Sequence, residues 1–289
     1  MLRQRWVKRP DALLSLRAAQ TRRKGAPPLI LLHGFPDFWL GWAPLIEQLR
    51  GSGQDLIAPD LRGYNDSETE TSATFGLLTL VEDVLAIADA LDAPVFQLMG
   101  HDWGGVIAWA CAQAAPERLR SLCVLNAPHP FVFGEAFAAD PTQRARSAYI
   151  AALRQDGAAE RLGAADYAPL ENAFASVAAG GGRDAATQAA YRAAWARRGR
   201  MNAMLAYYRA TTFLDDGGVI WRPKAPIQTP TLLIWGEQDG AFAPYLPEAH
   251  HRIAAHLTIR RETDLGHWPH QEDPARVATR WREWVALID

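Results

Sequence analysis

A chain of 289 residues can bury a large core, either as one big domain or as a core with an insertion. Hydrophobic residues at 49%, charged residues at 21% and a net charge of −2 describe an ordinary soluble globular protein, with no reason to expect a nucleic acid or an anionic membrane as partner. No apolar run approaches the roughly 20 residues that span a bilayer, and Met1-Leu2-Arg3-Gln4-Arg5-Trp6 lacks the apolar segment of a secretory leader, so a cytoplasmic location is expected.

Taken in order, Arg5–Lys8 and Ala12–Ala19, parted by Pro10-Asp11, read as an antiparallel start to a sheet. The basic residues up to Lys24 read as a solvated face. Gly25-Ala26-Pro27-Pro28 breaks the chain before Leu29-Ile30-Leu31-Leu32, an unbroken apolar run of the kind a central parallel strand needs on both faces. His33-Gly34-Phe35-Pro36 ends it, and a Trp-rich helix (Trp39, Trp42) follows to about Gly51. Strands are expected over Asp55–Pro59, from Val95, and over Leu119–Leu125, with helices over Leu77–Leu91 and Val106–Ala115 between them. From Phe131 to Asp216 the chain turns rich in Ala and Arg, holds no strand-like run and carries a loose Ala178–Gly182 loop. The alternation then returns: strand Thr231–Trp235, helix Leu246–Ala255, strand Leu257–Arg261 and a closing amphipathic helix Pro274–Ile288. The expected fold is α/β, a doubly wound, mostly parallel sheet with an inserted helical cap. Its parts are 1–130, the first part of the core, 131–216, the cap, and 217–289, the second part of the core. Cys111 and Cys123, in apolar surroundings, are expected as buried thiols rather than a disulfide.

The chemistry centres on Gly100-His101-Asp102-Trp103-Gly104-Gly105. A strand that turns at once into a helix strains its apex residue, and the residues two positions either side must be small; Gly100 and Gly104 meet that need. This is a nucleophile elbow with aspartate where serine is usual. A carboxylate attacks an sp³ carbon, so the acyl carbon of the resulting ester belongs to the enzyme, and the substrate must offer an electrophilic alkyl carbon such as an epoxide or an alkyl halide. The bland alternative is an Asp that only caps the following helix.

The second half-reaction needs a base for water and a group that orients the base. Leu265-Gly266-His267-Trp268 and Trp235-Gly236-Glu237-Gln238-Asp239 each follow a late strand, where open parallel sheets collect function. His267 is the candidate base. Asp239, further out on its loop than the competing Glu237, is the preferred partner. The backbone N–H groups of Phe35 and Trp103 are the candidate oxyanion donors, with Pro36 fixing the chain beside them. His33 and His129, at strand ends near the site, are expected to shape the pocket with Pro36 and Trp268. His101 is set aside as a neighbour of the apex, His250, His251 and His256 as residues on or just after a surface helix, and His270 as lying beyond the turn. His250 and His251 diverge on a helix, so no metal site is expected; no cofactor is expected either.

Together these segments resemble the α/β-hydrolase superfamily and, within it, the epoxide hydrolases: His33-Gly34-Phe35-Pro36-Asp37-Phe38-Trp39, Asp60-Leu61-Arg62-Gly63-Tyr64, the elbow, Asn126-Ala127-Pro128-His129-Pro130 and Gly266-His267-Trp268. The resemblance implies two cap tyrosines that protonate the epoxide oxygen as the ring opens. Asn202–Arg209 is similar to the second tyrosine segment and points to Tyr208; Ser147-Ala148-Tyr149, with Gly157 and Glu160 beyond it, points to Tyr149. Tyr167, Tyr191 and Tyr207 are the spare candidates. Two departures stand out: polar Arg154, Gln155 and Asp156 after Tyr149 where the family is apolar, and Asn65 in place of a glycine. The expected partners are a small hydrophobic epoxide and water, and the assembly is left open, a homodimer included. A haloalkane or haloacid dehalogenase is the alternative, less suited because halide leaves as an anion and has no use for proton donors; Trp103 stands where fluoroacetate dehalogenases have arginine. A non-catalytic binding protein on the same fold is the remote one.

Overall fold

The computed structural model describes residues 2–19, 26–51, 53–70 and 72–288; the last basic residues to Lys24, and Gly25, lie outside them. Among the described residues one sheet holds nine strands: β1 (Arg3–Lys8), β2 (Ala12–Ala19), β3 (Leu29–Leu32), β4 (Leu56–Pro59), β5 (Glu68–Thr69), β6 (Phe96–His101), β7 (Leu119–Leu125), β8 (Thr231–Gly236) and β9 (Leu257–Glu262). The spatial order is β1-β2-β4-β3-β6-β7-β8-β9, with the two-residue β5 beside β2. Pairing is antiparallel from β1 to β4 and parallel from β4 to β9.

The apolar runs explain the interior position of the central strands. Every residue of β3, β4, β6 and β8 is buried, because helices cover both faces of the sheet. Alternate residues part between two cores: Ile30, Leu32 and Ile57 join the elbow-helix side, while Leu29, Leu31, Leu56 and Ala58 pack with Trp42, Trp281 and Trp284 on the other. From β3 the chain moves one way to β4 and the other way to β6, so the carboxyl ends of β3 and β6 flank the switch point where such sheets open a crevice.

Between β7 and β8 the described chain is helical, from Pro130–Ala139 through Arg200–Ala210 to a 3₁₀ turn at Val219–Trp221. One local expectation is corrected there and another after β8. Ala178 and Ala179 end a short helix, Ala175–Ala179, and only the glycines after it form a turn. The helix Ala158–Asn172 is broken midway by Ala165, Asp166 and Tyr167, all left-handed. The helix expected over Leu246–Ala255 is shorter, Leu246–Ala249, and tightens into a 3₁₀ turn at His250–Arg252. Both cysteines are buried and free. Among the described residues no helix is long and apolar enough to cross a membrane.

Candidate active site

Asp102 sits between β6 and the helix Trp103–Ala114 at φ 51°, ψ −122°, a conformation side chains rarely adopt. The bend closes because its neighbours lack side chains: a Cβ on Gly100 would overlap the Gly104 carbonyl, and one on Gly104 would overlap that of Leu32. The same closeness brings the loop after β3 against the carboxylate. The Phe35 N–H donates to Asp102 Oδ1 at 2.7 Å, and the Trp103 N–H also favours the charged form. Burial nevertheless lifts the Asp102 pKa above the ordinary carboxylate value, the charge of His267 and the two N–H groups only partly offsetting it.

The loops after β8 and β9 bring an acid and an imidazole together. His267 Nδ1 donates to Asp239 Oδ2 at 2.7 Å, which leaves Nε2 facing Asp102 Oδ2 at 3.8 Å. Burial opposes a charged imidazole here, but Asp239 and Asp102 outweigh it and lift the His267 pKa to about 9. Asp239 is held from three sides: besides His267, the Ala241 N–H meets Oδ1 at 2.8 Å and the Asn126 amide meets Oδ2 at 2.8 Å. Burial would raise its pKa, yet these donors keep it below the usual range. Asn126 also exchanges two hydrogen bonds with the Gly236 backbone, so its side chain fixes the loop that carries Asp239. The sequence flagged the segment Asn126–Pro130 without assigning Asn126 this place. Glu237, the competing acid, pairs instead with Arg261.

Asp102 opens into a partly enclosed cavity that it shares with Tyr149 and Tyr208. The remaining wall is largely apolar, with Val106, Phe133, Ile150, Phe213, Leu214 and Phe242. Its free volume of about 30 Å³ holds roughly two waters. Tyr208, on the helix Arg200–Ala210, is buried and packs edge-on to both Phe35 and Trp103. Tyr149, on the helix Ala148–Arg154, is 41% exposed while lining the cavity, so its ring stands between cavity and solvent. Loss of water around the hydroxyl, at Tyr149 despite the residue's overall exposure, and the nearby Asp102 charge raise the pKa of both phenols, which keeps them neutral donors at pH 7.

The four residues expected to shape the pocket lie outside this lining. His33 is a pin between loops: Nε2 accepts from the Leu61 N–H and Nδ1 donates to the Gly34 carbonyl, while burial lowers its pKa to about 4. His129 accepts from the Phe131 N–H and donates to Gln113, capping the helix Pro130–Ala139. The Pro36 carbonyl and the Trp268 indole take part in fasteners to the helical stretch, through Trp195 and the Ala173 carbonyl, each at 2.7 Å. Trp268 also borders an open groove along the outer side of Asp239 and His267.

Two of the histidines set aside are also placed differently. His250 is buried, stacked on Trp109 and accepting the His129 N–H, because the 3₁₀ turn rotates it inward. His270 is buried between Trp42 and His101, 3.7 Å from Asp37. Of the spare tyrosines, Tyr191 donates to Asp37 and Tyr207 to the Arg62 carbonyl, so both hydroxyls are committed elsewhere. Asn65, at φ 40°, takes the left-handed backbone that asparagine tolerates.

Comparison with known proteins agrees with this layout. A family model described as the alpha/beta hydrolase fold matches residues 27–274. The chain is 32% identical over 266 residues to AB hydrolase superfamily protein YfhM of Bacillus subtilis, across 91% of this chain and 92% of that one. It is 31% identical over 279 residues to epoxide hydrolase 4 of Mus musculus, across 93% of this chain and 76% of that one. A crystal structure of a mutant epoxide hydrolase from Bacillus megaterium superposes with a TM-score of 0.88 at 24% identity, covering 98% of this chain and all of that one, a likeness of fold. The chain belongs to the α/β-hydrolase family and, within it, to the epoxide hydrolases.

Proposed function

We propose that this chain hydrolyses a small apolar epoxide to a vicinal diol through a covalent ester on Asp102, with the helical stretch 131–216 acting as a cap on a core made of 1–130 and 217–289. One observation carries the reading: a strained carboxylate shares a partly enclosed, largely apolar cavity with two neutral phenols, and an imidazole faces its second oxygen.

Asp102 Oδ1 is engaged by the Phe35 N–H, so Oδ2 is the oxygen free to attack. It bonds to a ring carbon as the carbon–oxygen bond of the epoxide breaks, and the departing oxygen takes a proton from Tyr149 or Tyr208. The product is a hydroxyalkyl ester and a phenolate. Ester formation removes the negative charge of Asp102, one of the causes that hold His267 protonated, so the pKa of His267 falls and its proton passes through solvent to the phenolate, leaving a neutral base. His267 then takes a proton from water, which attacks the Asp102 acyl carbon. The N–H groups of Phe35 and Trp103 stabilise the oxyanion, a donor of this kind contributing about 3 kcal/mol. Collapse expels the second diol oxygen, which takes the proton from His267, and the proton left on Asp102 returns through solvent to His267, restoring the starting state.

The test is a panel of styrene, terpene and aliphatic epoxides beside bromoalkanes, with diol and bromide both measured. Diol without bromide is expected; bromide without diol would replace this reading with dehalogenation, and neither product would leave a binding protein. In His267→Gln the alkyl-enzyme is expected to accumulate as a mass increase equal to the epoxide.

A further inference from the structure

Arg154 is out of keeping with the apolar wall it helps to form. Its guanidinium explains the placement. Nε donates to the Tyr208 carbonyl at 2.9 Å, Nη2 to the Thr211 carbonyl at 2.7 Å, and Nη1 to Asp215 at 2.7 Å. The helix Arg200–Ala210 ends two residues after Tyr208, so the Tyr208 carbonyl is one of those left without a partner inside the helix. A cation is also favoured at that end by the helix dipole. The neighbouring orphan, the Tyr207 carbonyl, is taken by the Thr211 hydroxyl. Arg154 itself ends the helix Ala148–Arg154, which begins with the Ala148-Tyr149 pair. A single side chain thus ties the segment carrying one phenol to the backbone of the other, and through Thr211 and Asp215 it holds the strip that sends Phe213 and Leu214 into the cavity.

We propose that Arg154 is a positioning residue that sets the separation of the Tyr149 and Tyr208 hydroxyls over Asp102, acting through the Tyr208 carbonyl. This rests on the reading of Tyr208 as a proton donor. Only a fork of donors reaches three acceptors at once, so lysine keeps the charge and the stem but not the geometry. Proton donation belongs to ester formation alone, whereas ester hydrolysis depends on His267 and Asp239, which Arg154 does not touch. A merely structural arginine would slow neither step selectively.

Rapid-quench single turnovers with styrene oxide separate the two steps. Arg154→Met is expected to slow ester formation by roughly ten- to a hundredfold, the cost of a phenol misplaced by about an ångström, and to leave ester hydrolysis at its wild-type rate. Arg154→Lys is expected to show the same split with a smaller loss, and it carries the test if the methionine variant does not fold. In a double-mutant cycle with Tyr208→Phe the losses are expected not to add, because both remove one function. Additive losses, an unchanged rate of ester formation, or equal slowing of both steps would overturn the role of Arg154. A wild-type enzyme that forms diol but no ester would instead overturn the underlying reading of the mechanism, and Arg154 with it.

Discussion

The two halves of the cavity are built by different means. On the sheet side, position comes from backbone: a bend at Asp102 that only glycines allow, strand ends that deliver the loops of Asp239 and His267, and an N–H of the β3 loop on the carboxylate. On the helical side the segments are short, rich in alanine and interrupted by three left-handed residues in a row. There position comes from long side chains that reach across: Tyr191 to Asp37, Trp195 to the Pro36 carbonyl, Tyr207 to the Arg62 carbonyl and Arg154 to the Tyr208 carbonyl. The proposed nucleophile and base are therefore set by the fold, and the proposed proton donors by a few separable contacts.

That contrast can be broken at graded points. The largest loss is expected for Asp102→Asn, at least about a ten-thousandfold fall in diol formation, since it removes the proposed nucleophile. Replacing both phenols, Tyr149→Phe with Tyr208→Phe, should slow ester formation by roughly a hundred- to ten-thousandfold, the range of general acid catalysis, while ester already formed hydrolyses normally. Tyr191→Phe removes a 2.5 Å hydrogen bond to the fully buried Asp37. It should cost about 1–3 kcal/mol in thermal or denaturant unfolding and leave kcat nearly intact.

Asn126→Ala frees the Asp239 loop and should slow ester hydrolysis about tenfold, roughly 1.4 kcal/mol, with little change in ester formation. The smallest effect is one of charge. In the free enzyme His267 titrates at about 9, in part because Asp102 is ionised. Asp102→Asn should therefore lower that pKa in a histidine NMR titration. In the native enzyme, ester hydrolysis should be lost as pH falls through a His267 pKa below 9, because the base must be neutral, while ester formation is lost only at the lower pH where Asp102 is protonated.

The sheet half was legible in the sequence because its signals are local. Gly100 and Gly104 are dictated by one bend, the apolar strands by burial on both faces, and Asp239 and His267 by their places after strands. The helical half was legible only where a resemblance pointed, at Tyr149 and Tyr208. Arg154 read as a polar intrusion, because its partners are backbone carbonyls more than fifty residues away that leave no mark on composition or spacing. His33, His129, Pro36 and Trp268 show the converse: a residue next to a catalytic segment was read as facing the pocket, yet the chain turns each of them into a pin or a fastener. His250 and His270 were read from helix geometry and from distance along the chain, and a single 3₁₀ turn and a tight packing against Trp42 put them inside.

The central claim is that water attacks the enzyme and not the epoxide. A single turnover with enzyme in excess, run in heavy-oxygen water, tests it directly. Diol carrying ordinary oxygen, with the heavy isotope recovered in the peptide that contains Asp102, is the result expected from an ester on that side chain. Heavy oxygen in the first diol and none in Asp102 would contradict it.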